Sequence, residues 1–217
     1  VPESRTLDPE SLAEYLCCNC VLDWKTLFKD IRIMPGASIW RFKNKTLDRK
    51  RKYFLPETWE GQSWLEKEFF YQKFRKTLRE ILPRYFRASQ DIGISLTGGL
   101  DTRIIMANLD TQPGKYPCYT FNSVYRDCND VKVARKVSEQ CGLEHHTIQL
   151  EKEFLSDFNR FAEETVYITD GNLDISGAPE IYVNRLAREI APIRVTGNHG
   201  SELLRSIRWM KATMPDN

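Results

Sequence analysis

One run, Ile92-Gly-Ile-Ser-Leu-Thr-Gly-Gly-Leu-Asp-Thr102, limits the possible folds of this chain more than any other. Ile92–Leu96 has the length and apolarity of a buried strand, and a helical pattern over Thr102–Asn108 leaves the far side. Between them lie two adjacent glycines, which let a backbone turn sharply and approach a ligand closely. The same strand–helix alternation then repeats. Strands are predicted at Cys118–Asn122, His146–Leu150 and Ile193–Thr196, with helices at Asp130–Cys141, Glu151–Tyr167 and Pro179–Ile190. This rhythm predicts an α/β fold, a parallel twisted sheet flanked by helices. Such sheets bind ligands at the carboxyl ends of their strands, which is where loops 97–102 and 197–202 fall.

Ahead of that pattern the chain reads differently. Asp8-Pro9-Glu10 is a helix start, with a capping Asp, an early Pro and an acid near the positive end of the dipole. Ser38–Phe42 reads as a strand followed by the polar turn Lys43-Asn44-Lys45, and the basic run 49–52 as a solvated turn or linker. Residues 56–62 carry turn residues without periodicity and are expected to be a linker between a domain at 1–55 and another at 63–217. A long amphipathic helix is expected from Ser63 to Arg87, with Phe70, Phe74, Leu78, Ile81, Leu82 and Tyr85 on its apolar face and Pro83 kinking or ending it.

The loop itself has a chemistry. A helix N-terminus offers unpaired amides to an anion, and the hydroxyls of Thr97 and Thr102 add donors for phosphate oxygens. Asp101 repels phosphate, so a carboxylate there implies a bridging Mg²⁺. Two better-known loops fail to fit. Gly93 and Gly98 have the spacing of a G-x-x-x-x-G-K-[ST] loop, but Gly99 holds the Lys position. Gly93-Ile-Ser95-Leu-Thr97 has Thr where G-x-S-x-G needs its last Gly.

Composition closes off other classes. An apolar fraction of 41% supports a sizeable core, and a net charge of +2 gives no reason to expect nucleic acid as a partner. No stretch reaches the roughly 18 apolar residues of a membrane span, and the N-terminus lacks the apolar core of a signal peptide. The six cysteines lack zinc spacing and read as reduced, partly buried thiols of a cytoplasmic protein. His145 and His146 read as packing or hydrogen-bonding residues, the Asp170–Asp174 segment as a helix-connecting turn, and the five tryptophans as core or interface residues. Without an initiator Met and with an abrupt end, the chain is expected to be a piece of something longer.

Thr97-Gly-Gly-Leu-Asp-Thr102 resembles the S-G-G-L-D-S signature of the N-type ATP pyrophosphatases (PP-loop enzymes), and of the asparagine synthetase family in particular, with two hydroxyl-for-hydroxyl exchanges. Other segments agree in order. Thr26-Leu27-Phe28, Ile31 and Met34-Pro35-Gly36 resemble the end of that family's glutaminase domain. Tyr119-Thr120-Phe121 resembles its second strand. Asp130-x₃-Ala134 and Gly142-x₂-His145 resemble its "D-x₃-A … L-G-x₂-H". Thr196-Gly-Asn-His-Gly-Ser-Glu-Leu203 resembles its second loop.

The resemblance implies a Rossmann-like fold of the adenine nucleotide alpha-hydrolase type, preceded by the tail of a glutaminase-type domain. It implies ATP and Mg²⁺ as cofactors. A carboxylate is activated by adenylation with release of pyrophosphate, and glutamine-derived ammonia then attacks. Leu96 and Ser123 would lie against adenosine, and Thr196 and Gly197 would line the nucleotide site. Thr97, Gly98, Gly99, Leu100, Asp101 and Thr102 would hold pyrophosphate, with Asp101 as metal ligand and Asp101 and Glu202 as the catalytic carboxylates. The second loop departs from the pattern, with Asn198 and Ser201 where acids are usual. One metal contact is thereby lost, and the activity is expected to be lost, weakened or redirected to another carboxylate. The glutaminase nucleophile and the C-terminal helical part are not in the chain, so this piece is not expected to hydrolyse glutamine. A homodimer is admitted. Two other readings stay open: a degenerate nucleotide-binding or scaffold module, and a related adenylating enzyme that closes β-lactam rings or modifies tRNA.

Overall fold

The computed structural model describes residues 6–198 and Gly200, without Asn172 and without the side chain of Trp59. The chain forms two compact units, Val1–Glu66 and Lys67–Asn217.

In the first unit, helix α1 spans Pro9–Cys18. It starts as its sequence dictates, with the Asp8 carboxylate accepting from the Ser11 amide at 3.2 Å and the Ser11 hydroxyl at 2.6 Å. It ends at Asn19, which takes the left-handed conformation (φ 56°). The Lys25 ammonium then ties the following segment back to Glu14 and Glu10.

Strands β1 (Ser38–Lys43) and β2 (Thr46–Lys52) form an antiparallel hairpin. Asn44 and Lys45 both have positive φ, 49° and 63°, the conformation a two-residue hairpin turn needs. The basic run 49–52 is therefore strand and not a turn or linker. Its pairing partners explain this, since Lys50 sits over the Trp40 ring at 3.9 Å and Asp48 pairs with Arg41 across the hairpin. A short helix α2, Pro56–Glu60, lies within the stretch read as linker. Among the described residues of this unit only Ser11 is buried, and no apolar side chain is.

The second unit opens with α3, Lys67–Tyr85, which starts later than expected and runs through Pro83 near its end. Of its expected apolar face only Leu82 is buried, while Phe70 and Tyr85 are exposed. The remaining elements are β3 (Ile92–Ser95), α4 (Leu100–Asn108), β4 (Cys118–Ser123), α5 (Asn129–Gln140), β5 (His145–Leu150), α6 (Lys152–Ser156), α7 (Phe158–Ile168), α8 (Ala178–Ile190) and β6 (Ile193–Val195). The four strands β3 to β6 form a wholly parallel sheet in the order β5-β4-β3-β6. Central β3 is buried at all four positions, as a parallel strand covered on both faces must be.

The alternation of β3 divides the core. Ile92, Ile94 and Leu96 pack on one face with Met106, Cys118, Ala134 and Leu143. On the opposite face Tyr119 and Ile148 pack against Val183 and Ala187 of α8. The helix expected over 151–167 is two helices broken at Asp157. The break lets Phe154 and Phe161 both reach the Tyr182 ring, at 5.3 and 5.5 Å, and a third apolar cluster forms there with Ala162 and Ala178. No helix among the described residues is long and apolar enough to cross a membrane.

Candidate nucleotide site

The parallel pairing of β3 with β6 sets Ile92 beside Ile193 and Ile94 beside Val195, so the loops that leave these strands emerge side by side. The first loop holds itself in shape. The Thr102 hydroxyl donates to the Thr97 carbonyl at 3.1 Å and accepts from the Thr97 amide at 3.3 Å. The Gly99 amide donates to Thr97 Oγ1 at 3.1 Å, and the Gly98 amide to Asp130 Oδ1 at 3.0 Å. Thr102 therefore spends its one hydroxyl hydrogen inside the loop, whereas the Thr97 hydroxyl lies 3.3 Å from Thr102 Oγ1 and can turn from it to a ligand. The amides of Leu100, Asp101 and Thr102, the first turn of α4, donate to no acceptor among the described residues.

The second loop is shaped by what it lies on. A Cβ on Gly197 would fall 2.8 Å from the Thr102 nitrogen and 2.9 Å from the Asp101 carbonyl carbon. One on Gly200 would fall 2.7 Å from Asp101 Cγ. Only glycine lets this backbone press against the start of α4. Asn198 is tied locally, its side-chain oxygen accepting from Thr196 Oγ1 at 2.9 Å.

Between the loops is a cavity of about 340 Å³. Thr97, Gly99, Asp101 and Thr102 line it from the first loop and Thr196, Gly197 and Asn198 from the second, with Ser95, Phe121 and Arg194 completing the wall. Of the three residues with unpaired amides, Asp101 and Thr102 line this space and Leu100 does not.

Other residues named from the sequence lie elsewhere. The Leu96 side chain is fully buried and faces the core, not the cavity, because it continues the inward alternation of Ile92 and Ile94. Gly98 turns its amide to Asp130, Leu100 is half exposed at the helix start, and Ser123 is exposed at the end of β4; none of the three lines the cavity. Glu202, Ser201 and His199 lie outside the described residues.

Sequence reasoning passed over Ser95 and Arg194. The period-two alternation Gly93, Ser95, Thr97 was the available signal, since small and polar side chains on the face opposite Ile92, Ile94 and Leu96 mark the side open to a ligand. Arg194 is held by Glu180 and Asn184 of α8, with Nη1 at 2.5 and 2.7 Å, and its Nη2 reaches Ser95 Oγ at 3.3 Å.

Behind the loop, Thr120 Oγ1 donates to the Leu96 carbonyl at 2.5 Å. It must therefore accept from His145 Nε2, 2.9 Å away, which fixes the ring as the Nε2–H tautomer. Burial, and then the nearby Arg135, lower the His145 pKa. His145 is the hydrogen-bonding residue its sequence context suggests. Burial pushes the Cys118 thiol up to about 12, an inert thiol packed in the core. Cys17, Cys18, Cys20 and Cys128 are exposed, in contrast to the partly buried thiols expected. Trp64 is fully exposed and Trp24 half exposed, so neither is a core residue.

A parallel sheet, a glycine loop and a helix start thus converge on one cavity whose charged lining residues are Asp101 and Arg194. The family model described as asparagine synthase matches residues 73–214, more than half of the chain. The chain belongs to the asparagine synthase family, a family of ATP-using synthetases. No curated protein gives a match. Among solved structures the chain is similar to NMN synthetase from Francisella tularensis, with 16% identity and a TM-score of 0.29. The match covers 50% of this chain and 52% of that one, so it spans about half the length of that relative.

Proposed function

We propose that the full-length protein is an amide-forming ligase that adenylates a carboxylate with ATP and then passes the acyl group to glutamine-derived ammonia. The observation that carries this reading is that Asp101 and Thr102, whose amides are unpaired among the described residues, line one cavity together with the Asp101 carboxylate. A carboxylate oxygen attacks the α-phosphorus, the bond to the β-phosphate oxygen breaks, and pyrophosphate departs with the electron pair. Ammonia then attacks the acyl carbon, AMP leaves, and the nitrogen sheds a proton to give the amide. The amides of Asp101 and Thr102, with the Thr97 hydroxyl, would stabilise charge on the departing pyrophosphate. Asp101 would hold a Mg²⁺, which when bound would neutralise phosphate charge. Phe121 offers an aromatic face to the base. In this reading residues 1–55 are the tail of the glutaminase-type domain.

ATP–pyrophosphate exchange by the full-length protein across L-aspartate, L-glutamate and a panel of small carboxylic acids tests it. Acid-dependent exchange with at least one of them is expected. Absence of exchange with every acid would sink the proposal, whether or not ATP binds. A second reading, a nucleotide-binding module without catalysis, is favoured by Asn198, whose amide stands where an acid is usual and is bonded to Thr196. It requires ATP binding with no exchange.

A further inference from the structure

We propose that Arg194 recognises the carboxylate of the acid to be activated; the proposal rests on the adenylation reading above. Among the described residues lining the cavity, Arg194 is the only cation. It comes from strand β6 and not from either loop, on the wall formed with Ser95.

Its setting resembles that of a prepared ligand group. Glu180 and Asn184 hold Nη1 from α8, and Ser95, itself 8% exposed, meets Nη2. A guanidinium has five N–H donors in a fixed plane. These bonds use three, and no other acceptor for it occurs among the described residues. The side chain is 31% exposed and Glu180 47% exposed, so the pair is not sealed in the interior and the guanidinium stays open to a further anion from the cavity.

The reaction brings two anions together. The phosphates have their own donors in the first turn of α4 and the Thr97 hydroxyl. The acid is the anion still without a partner, and a planar fork held by α8 suits a carboxylate better than a mobile ammonium would. Glu180 then acts as a positioning residue, since it touches Arg194 and not the cavity.

The test uses the full-length protein, Arg194→Gln, Arg194→Lys and Glu180→Gln, with the acid that gives the fastest exchange. Loss of a charged hydrogen-bonding partner predicts an acid KM raised about tenfold or more in Arg194→Gln, with ATP affinity from titration within about twofold of the parent. Arg194→Lys is expected to recover part of the loss, and Glu180→Gln to raise the acid KM less. A fall in ATP affinity with an unchanged acid KM would place the guanidinium on the nucleotide and overturn the proposal. If Arg194→Gln lowers the melting temperature and weakens both ligands together, Glu180→Gln decides, and an unchanged acid KM there makes Arg194 a structural clip. An unsubstituted protein that exchanges with no acid fails the adenylation reading itself, whatever the variants do.

Discussion

The two loops that line the cavity are built in different ways. Loop 97–102 ties itself together through Thr97, Thr102 and Gly99, with outside side-chain tethers at Asp130 and at neighbouring Arg103. Among its described residues, loop 196–200 has only the Thr196–Asn198 bond and the Gly200–Gly197 turn of its own, and Gly197 and Gly200 press against the start of α4. The first loop is a local structure that a sequence motif can encode. The second is a tertiary structure, encoded mainly by the absence of side chains at Gly197 and Gly200.

That difference sets the order of effects expected from mutation. Gly197→Ala is expected to do most damage, since its methyl would lie 2.8 Å from the Thr102 nitrogen, and backbone has nowhere to go. Overpacking of this kind costs about 2 kcal/mol, or about thirtyfold in affinity if it falls on the nucleotide-bound state. Calorimetric titration with ATP would show it, and unchanged binding would mean that the second loop does not rest on α4 in solution.

Thr102→Val comes next. It keeps the shape of a 5% exposed side chain but removes the hydroxyl that joins the two ends of the first loop. A loss of about 1–2 kcal/mol in stability is expected, read as a shift in denaturant midpoint. An effect as small as that of an exposed substitution would break the claim that this loop holds its own shape.

The smallest effect concerns the support behind the first loop. His145 in the folded chain has a pKa below its ordinary 6.5, so folding disfavours the imidazolium. The unfolded chain takes up the proton first as pH falls. The contribution of His145 to stability is therefore constant above pH 6.5 and declines as pH drops through 6.5 toward the folded value. Denaturation midpoints between pH 7.5 and 5.5 are expected to fall, and to fall less in His145→Gln.

The same contrast explains what could be read from the sequence. The strand–loop–helix of 92–108 was legible because apolar period, glycines and hydroxyls all act within a few residues. The parallel sheet followed from the spacing of similar units. What escaped depends on partners distant in sequence. The basic strand β2 needs Trp40 and Arg41 opposite it, and the break at Asp157 needs Tyr182. Arg194 reads as one charge between Ile193 and Val195, and only α8 shows that it is held at the cavity wall. Leu96 was assigned to the ligand by analogy, while the pleat of its own strand turns it to the core.

In the proposed function the cavity between these loops takes ATP through the helix start and a metal at Asp101. Titration of the full-length protein and of Asp101→Ala with ATP, each with and without Mg²⁺, tests it most directly. Saturable one-to-one binding is expected, strengthened by Mg²⁺ in the parent and indifferent to Mg²⁺ in Asp101→Ala. Absence of ATP binding by the parent, or an equal response to Mg²⁺ in both proteins, would contradict it.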